Sequence, residues 1–296
     1  MAELQSADNG LYRMGFAGDT LNTAWYMRAL SEPDEVAVEY LTAIGTDQLS
    51  QDMRKFLEAN GIATNHVREI PDRTIGLYLI TLKQAERFFT YWRSNSAAKL
   101  LADDGDFLHS TLSAANCIYF SGITLAILSP ESRTRFLSIL ARMKAMGKFI
   151  AFDSNTRRKL WSSDEEMAAT IVAGYQVSTL ALPTFEDEAL SFGDGNILDC
   201  AKRISSYGVK EIVVKDGAKP CLALIGDQII TLAPIPIAEV VDTTGAGDSF
   251  NAGYISARLA SKIPIDALKV AHGVAGKVIR QRGALLEMSG FRDFIK

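Results

Sequence analysis

From about residue 114 onward, short apolar runs rich in β-branched residues alternate with longer stretches that place an apolar residue every three or four positions. "NCIYFSG" reads as a buried strand, followed by a helix from about Pro130 to Met146. "KFIAFDSN" is the next strand, with a helix from about Ser163 to Ala173 behind it. "YQVSTLALP" and "VKEIVVKDG" supply two more strands, separated by a helix that begins after Asn196. Helices from about Asp248 and about Pro264 close the chain. Strands that are apolar along their whole length, separated by amphipathic helices, predict a parallel sheet covered on both faces.

The first hundred residues have another rhythm. "DTLNTAWYMRAL" and "DQLSQDMRKFLEANG" predict helices, the second stopped by its glycine. "LYRMGF", "TIGLYLITL" and "ERFFTYWRS" alternate over short lengths and predict exposed antiparallel strands, a small β-structure drawn from about residues 10–17 and 73–95. No repeat, low-complexity tract or proline-rich linker divides the 296 residues, so they read as one domain, 1–296, carrying a lid.

Composition narrows the function classes. A net charge of −4 argues against a general nucleic-acid binder, which requires a basic surface. Cys117, Cys200 and Cys221 are scattered and odd in number, suggesting neither a disulfide framework nor a zinc site. His66, His109 and His272 have no ligand spacing either. No apolar run is long enough to span a bilayer, and no basic-then-apolar leader opens the sequence. The expectation is a cytoplasmic protein with no nucleic-acid or membrane partner.

The strongest local signal is "VVDTTGAGDSF", a glycine loop between a strand and a helix. It lacks the lysine of a Walker A loop, and Phe250 stands where a dinucleotide fingerprint has its third glycine. Read blandly, it is a tight turn capped by Asp248. Read chemically, the amides of Gly245, Ala246 and Gly247 at a helix start form a pocket for an anion. A carboxylate beside a bound polyphosphate is repulsive unless it works. Asp248 then takes the proton of an attacking hydroxyl, as catalytic aspartates do in phosphoryl transfer.

"DTTGAGDSF" resembles the C-terminal signature D-T-x-G-A-G-D of the PfkB, or ribokinase-like, carbohydrate kinases. Asp242, Thr243, Gly245, Ala246, Gly247 and Asp248 fill every fixed position. The likeness extends over "GFAGDTLNTA", "GTDQLSQDMRKFLEANGI" and "VVKDG". It implies a three-layer α/β/α sandwich with a mostly parallel central sheet and a small β-strand lid. It also implies Asp248 as the base and the Gly-Ala-Gly amides as the anion hole.

"FAGDTLNTA", "GLYLI", "YWRSNSAAK", "YFSGITLAILSP" and "FDSNTRRKLW" resemble the branch of the family that phosphorylates 2-keto-3-deoxygluconate. Such a substrate carries a carboxylate, so its pocket requires cations. In "FFTYWRS" the strand period puts Phe89, Tyr91 and Arg93 on one face, an aromatic for the sugar body beside an arginine for the acid. Gly76, Tyr78 and Ile80 share a face of the neighbouring strand, where Tyr78 offers a hydroxyl. Arg157 follows a strand ending near Asp153, and open α/β sheets bind ligands at strand C-terminal ends. By resemblance, Gly18, Asp19 and Asn22 bind sugar hydroxyls, and Tyr91, Arg93 and Arg157 the carboxylate end. The alternatives are that Tyr91 and Trp92 form an interface, that Asp19 only caps a helix beginning at Thr20, and that the Arg157–Arg158 pair faces solvent.

On the nucleotide side, the family's Asn-x-x-Glu segment aligns with "LPTFEDEAL". Thr184 replaces the asparagine, and Asp187 with Glu188 would organise magnesium through water; a solvated acidic face is the alternative. Lys215, Gly217 and Thr243 would lie near the phosphates or ribose of ATP, with adenine against "AHGVAGKVIRQRGA". The resemblance further implies a homo-oligomer through the lid. Two departures stand out. Arg158 replaces the usual proline, and "MAEL" matches only the end of the G-E-x-M-x-E-L segment into which the family's first buried strand leads, so that the first central strand is expected to be missing. A kinase of another sugar, such as fructose or ribose, and a catalytically impaired sugar-binding protein on the same fold are the rival readings.

Overall fold

The computed structural model describes residues 1–6, 10–83 and 86–296; residues 84–85, inside the predicted lid segment 73–95, lie outside the described residues. The N-terminal part runs β1 (Ala2–Ser6), β2 (Tyr12–Phe16), α1 (Asp19–Leu30), β3 (Thr42–Ile44), α2 (Gln48–Ala59), β4 (Val67–Glu69), β5 (Leu77–Lys83) and β6 (Glu86–Trp92). After it come α3 (Gly105–Ala114), β7 (Cys117–Ser121), α4 (Gly122–Ile127), α5 (Pro130–Ala145), β8 (Phe149–Asp153), α6 (Asp164–Gln176) and β9 (Leu180–Ala181). The chain ends with α7 (Phe185–Phe192), α8 (Ile197–Ser206), β10 (Glu211–Val214), β11 (Cys221–Ile225), β12 (Gln228–Leu232), α9 (Ala246–Leu259) and α10 (Pro264–Val278).

The central sheet has the order β12-β11-β10-β9-β8-β7. Its β7 to β10 portion is parallel, while β11 and β12 add an antiparallel hairpin that the sequence pattern does not announce. Successive residues of a strand point to opposite faces, and both faces here are apolar. Ile150, Phe152, Ile212 and Val214 enter one core with Phe136, Leu140, Met167, Ile171 and Ile204 from α5, α6 and α8. Ala151, Val213 and Ala223 enter the other with Leu21, Phe250, Ile255 and Val274 from α1, α9 and α10. Helices therefore cover both sides of the sheet, the three-layer arrangement expected from the continuous apolar runs. Among the described residues, no helix is long and apolar enough to cross a membrane.

Helix limits follow local chemistry. Asp47 accepts from Ser50 N to start α2, Ser129 with Pro130 starts α5, and Asn196 caps α8. The strand expected over "YQVSTLALP" shrinks to Leu180–Ala181, because α6 continues through Gln176. Tyr175 is apolar enough to suit a strand, but its ring fills the core from the last turn of α6.

The second sheet has the order β2-β1-β5-β6 and contains both segments read as lid. It is not purely antiparallel, since β1 pairs with β5 in parallel register. Residues 2–6 form β1 in this sheet, paired with β2 and β5. Among the described residues β7 is an edge strand of the central sheet, and β3 pairs only with β4.

Candidate active site

The signature loop is held from below. The buried Asp242 carboxylate accepts from Thr244 N and from Gly283 N, both at 2.8 Å, tying the loop to the segment after α10. Gly245 has φ 77°, and a Cβ there would lie 2.9 Å from Ala284 O. Only glycine satisfies both conditions. The Ala246 amide donates to Thr243 O at 3.1 Å, which removes it from the predicted anion hole. Among the described residues the Gly245 and Gly247 amides have no hydrogen-bond partner, so these two are the donors an anion would meet.

Asp248 sits on the first turn of α9 against the start of α1. Asn22 Nδ2 donates to Asp248 Oδ2 at 2.7 Å, and Asn22 Oδ1 accepts from Gly18 N at 3.2 Å. Burial, then the nearby Asp19 carboxylate, push Asp248 up to about 7. The bond from Asn22 and the Lys215 ammonium pull the other way without prevailing. A carboxylate with this pKa can take up a proton near neutral pH. Asp19 is the first residue of α1, with Gly18 at the cap position, and its side chain is turned to other elements. It accepts from Ser121 Oγ and from Asn155 Nδ2, and burial raises its pKa as well.

The second sheet brings its cleft-side residues to the same place. Tyr78, Ile80, Phe89 and Tyr91 share one face by register, and Phe89 and Tyr91 stack at 6.2 Å. The Arg93 guanidinium lies 4.3 Å above the Tyr91 ring. Arg93 and Arg157 are close enough to repel each other, and both feel Asp19. The Tyr78 hydroxyl, read as a ligand contact, donates instead to Glu3 of β1, a residue the sequence reading did not single out. Arg158 pairs with Asp164 at the surface, whereas Arg157 reaches Asp187 Oδ2 at 3.8 Å.

Lys215 follows β10, and its Nζ lies 3.7 Å from where a Cβ on Gly247 would be. It is buried against Asp153 and Asn251, two further residues that sequence reasoning missed. Gly217, at φ 58°, turns the chain after Lys215, and Thr243 is exposed beside the loop. Of the two acids proposed for a metal, Glu188 is corrected. Its fully buried carboxylate accepts from Tyr175 OH and Arg203, so it is spent inside the core. The apparent Glu188–Asp194–Cys200 cluster is likewise filled by the Arg203 guanidinium. Asp187 is partly exposed, and burial raises it to about 6.

An anion-accepting helix start, a base of neutral pKa beside it and two arginines opposite, on a three-layer α/β sandwich, define a small-molecule phosphotransferase. Residues 4–289 match the pfkB family carbohydrate kinase model, and the chain belongs to that family. It is 39% identical over 294 residues to the 2-dehydro-3-deoxygluconokinase of Dickeya dadantii, covering 97% of this chain and 94% of that one. It is 40% identical over 286 residues to the 2-dehydro-3-deoxygluconokinase of Escherichia coli, covering 93% and 91%. Among solved structures it resembles a Vibrio cholerae fructokinase bound to fructose, ADP and calcium ion, with a TM-score of 0.83 at 22% identity, covering 100% and 96%.

Proposed function

We propose that the protein transfers the γ-phosphoryl group of ATP to the 6-hydroxyl of 2-keto-3-deoxygluconate, the substrate named by its relatives as 2-dehydro-3-deoxygluconate, in sugar-acid catabolism. The observation that carries this reading is the convergence of Arg93 and Arg157 beside Asp19 and Tyr91. A neutral sugar gives no reason to concentrate two guanidiniums there, while a sugar carboxylate does.

Asp19, Asn22 and the Gly18 turn hold sugar hydroxyls, and Arg93, Arg157 and Tyr91 hold the keto-acid end. Asp248 accepts the hydroxyl proton as the oxygen attacks the γ-phosphorus and the bond to the bridging oxygen breaks, releasing ADP. Charge on the transferring group meets the Gly245 and Gly247 amides, with Lys215 beneath. Gly217 and Thr243 border the nucleotide. Magnesium keeps most of its waters and takes few protein carboxylates, a habit that the single partly exposed carboxylate of Asp187 suits. Asp187 would hold the ion through water, and the ion would neutralise phosphate oxygens.

The whole chain acts as one cytoplasmic kinase unit whose four-stranded sheet serves as lid and as the contact between subunits. A coupled ADP-release assay tests the function, comparing 2-keto-3-deoxygluconate with fructose, ribose and gluconate. The expected result is turnover with the keto-deoxy acid at a kcat/KM at least about a hundredfold above the neutral sugars. Equal use of fructose would overturn the substrate, and no turnover with any sugar would overturn the activity.

A further inference from the structure

Beneath the signature loop lies a closed ring of three side chains. Lys215 Nζ donates to Asp153 Oδ2 at 3.0 Å and to Asn251 Oδ1 at 2.9 Å, and Asn251 Nδ2 donates to Asp153 Oδ2 at 2.6 Å. Asn251 Nδ2 also reaches Tyr119 OH at 3.1 Å. Both charged members are almost fully enclosed, with side-chain exposures of 4% for Asp153 and 9% for Lys215. A buried pair is a poor source of stability, because desolvation consumes most of its attraction. The ring is better understood by what it places. Two of the three Lys215 N–H donors are used inside it, and one remains for an anion at the Gly247 amide.

The other oxygen of the same carboxylate serves the sugar side. Asp153 Oδ1 accepts from Asn155 N at 3.1 Å, holding Asn155 at φ 29°. This is a left-handed conformation that asparagine tolerates better than most residues. Asn155 Nδ2 then donates to Asp19 Oδ2 at 3.3 Å. Arg157 follows two residues later on the same loop. One carboxylate at the end of β8 thus touches both halves of the site.

We infer that Asp153 is a positioning residue for phosphoryl transfer: it fixes the Lys215 ammonium under the Gly245–Gly247 loop and, through Asn155, fixes Asp19 on the sugar side. This rests on the kinase reading above. Its weight falls on the transition state, where the transferring group is held between the two halves, more than on binding either substrate. Asp153 also contributes to the raised pKa of Asp248, whose other charged or titratable neighbours are Asp19 and Tyr26 of α1, Tyr78, Tyr119 and Lys215.

Asp153→Asn keeps the shape and removes the charge. The expected result is a fall in kcat of about a hundredfold, with KM for both substrates changed less than about threefold. The acid limb of kcat/KM should move to lower pH, because Asp248 loses a negative neighbour and Lys215 loses its partner. Lys215→Met should show the same kcat loss, and the double variant should lose no more than Lys215→Met alone. Wild-type activity with kcat retained in Asp153→Asn would overturn this inference alone, as would additive losses in the double variant. Inactive wild-type protein would instead overturn the kinase reading. If Asp153→Asn fails to fold, Asn251→Ala carries the test. It frees one side of the ammonium, so a roughly tenfold loss of kcat at unchanged KM supports the placement and full activity refutes it.

Discussion

Asp248 illustrates how one residue trades stability for chemistry. Its carboxylate is covered by protein and faces Asp19, so the folded state holds its proton up to about pH 7, far above the unfolded value of 3.8. The sign follows from linkage. A group that binds its proton more tightly when folded supports the fold below its unfolded pKa, and that support is lost as pH rises toward 7. Asp248→Asn, which keeps the bonding shape opposite Asn22, should therefore raise Tm, and more at pH 8 than at pH 5. The same variant should lose at least about a thousandfold in turnover, since the amide cannot accept the proton. Thermal melts and ADP release at both pH values check the pair. In the wild type, kcat/KM should climb with pH through about 7 and then level, because the base works only when ionised. Arg93→Ala and Arg157→Ala should each raise KM for the keto-deoxy acid by about tenfold or more while leaving KM for ATP within about twofold. Equal effects on both substrates would remove these arginines from the acid-binding role.

Elements differ in how openly their sequences declare them. The helices were legible because an amphipathic period comes with caps: Asp47, Ser129 and Asn196 each stand where they accept first-turn amides. β9 was overextended because Val177 and Leu180 suit a strand, while burial of Tyr175 keeps the preceding residues in α6. The signature loop was legible because its parts are contiguous. Asp153, Asn251 and Glu3 were not, because their partners lie 62, 98 and 75 residues away and only the tertiary fold joins them. The loop after β8 adds a testable case. Arg157 has φ −124° and ψ 84°, outside the α region that a following proline disfavours, and Arg158 opens a 3-10 turn. The Arg158 amide donates no backbone bond among the described residues, and its side chain makes only the surface pair with Asp164. Arg158→Pro should thus keep kcat/KM within about twofold and leave Tm nearly unchanged, a lost surface pair offset by a stiffer unfolded chain. A tenfold fall would mean that the proline-free loop has a shape of its own.

At the scale of the whole molecule the four-stranded sheet has two unlike faces. Register places Glu3, Tyr78, Phe89 and Tyr91 toward Arg93 and the site. The opposite face carries Tyr12, Met14, Phe88 and Trp92, of which Tyr12 and Trp92 are each 54% exposed. Aromatic and methionine side chains gathered on one exposed face are the composition of an interface core. A sheet this small is marginal by itself, and covering its outer face would steady the inner one on which Tyr91 and Arg93 stand. A twofold pairing of this face with its copy meets both requirements with one surface. Sedimentation at micromolar concentration should find a dimer for the wild type and a monomer for the double variant Met14→Lys/Trp92→Lys. Neither position points at the site, so a direct effect on chemistry is not expected. The monomer should nevertheless show a KM for the keto-deoxy acid raised several-fold, with KM for ATP less affected, because only the sugar side stands on the sheet. A wild type that sediments as a monomer would refute the pairing. A double variant that stays dimeric would move the interface elsewhere, and a monomer with unchanged KM would show that the inner face holds its shape unaided.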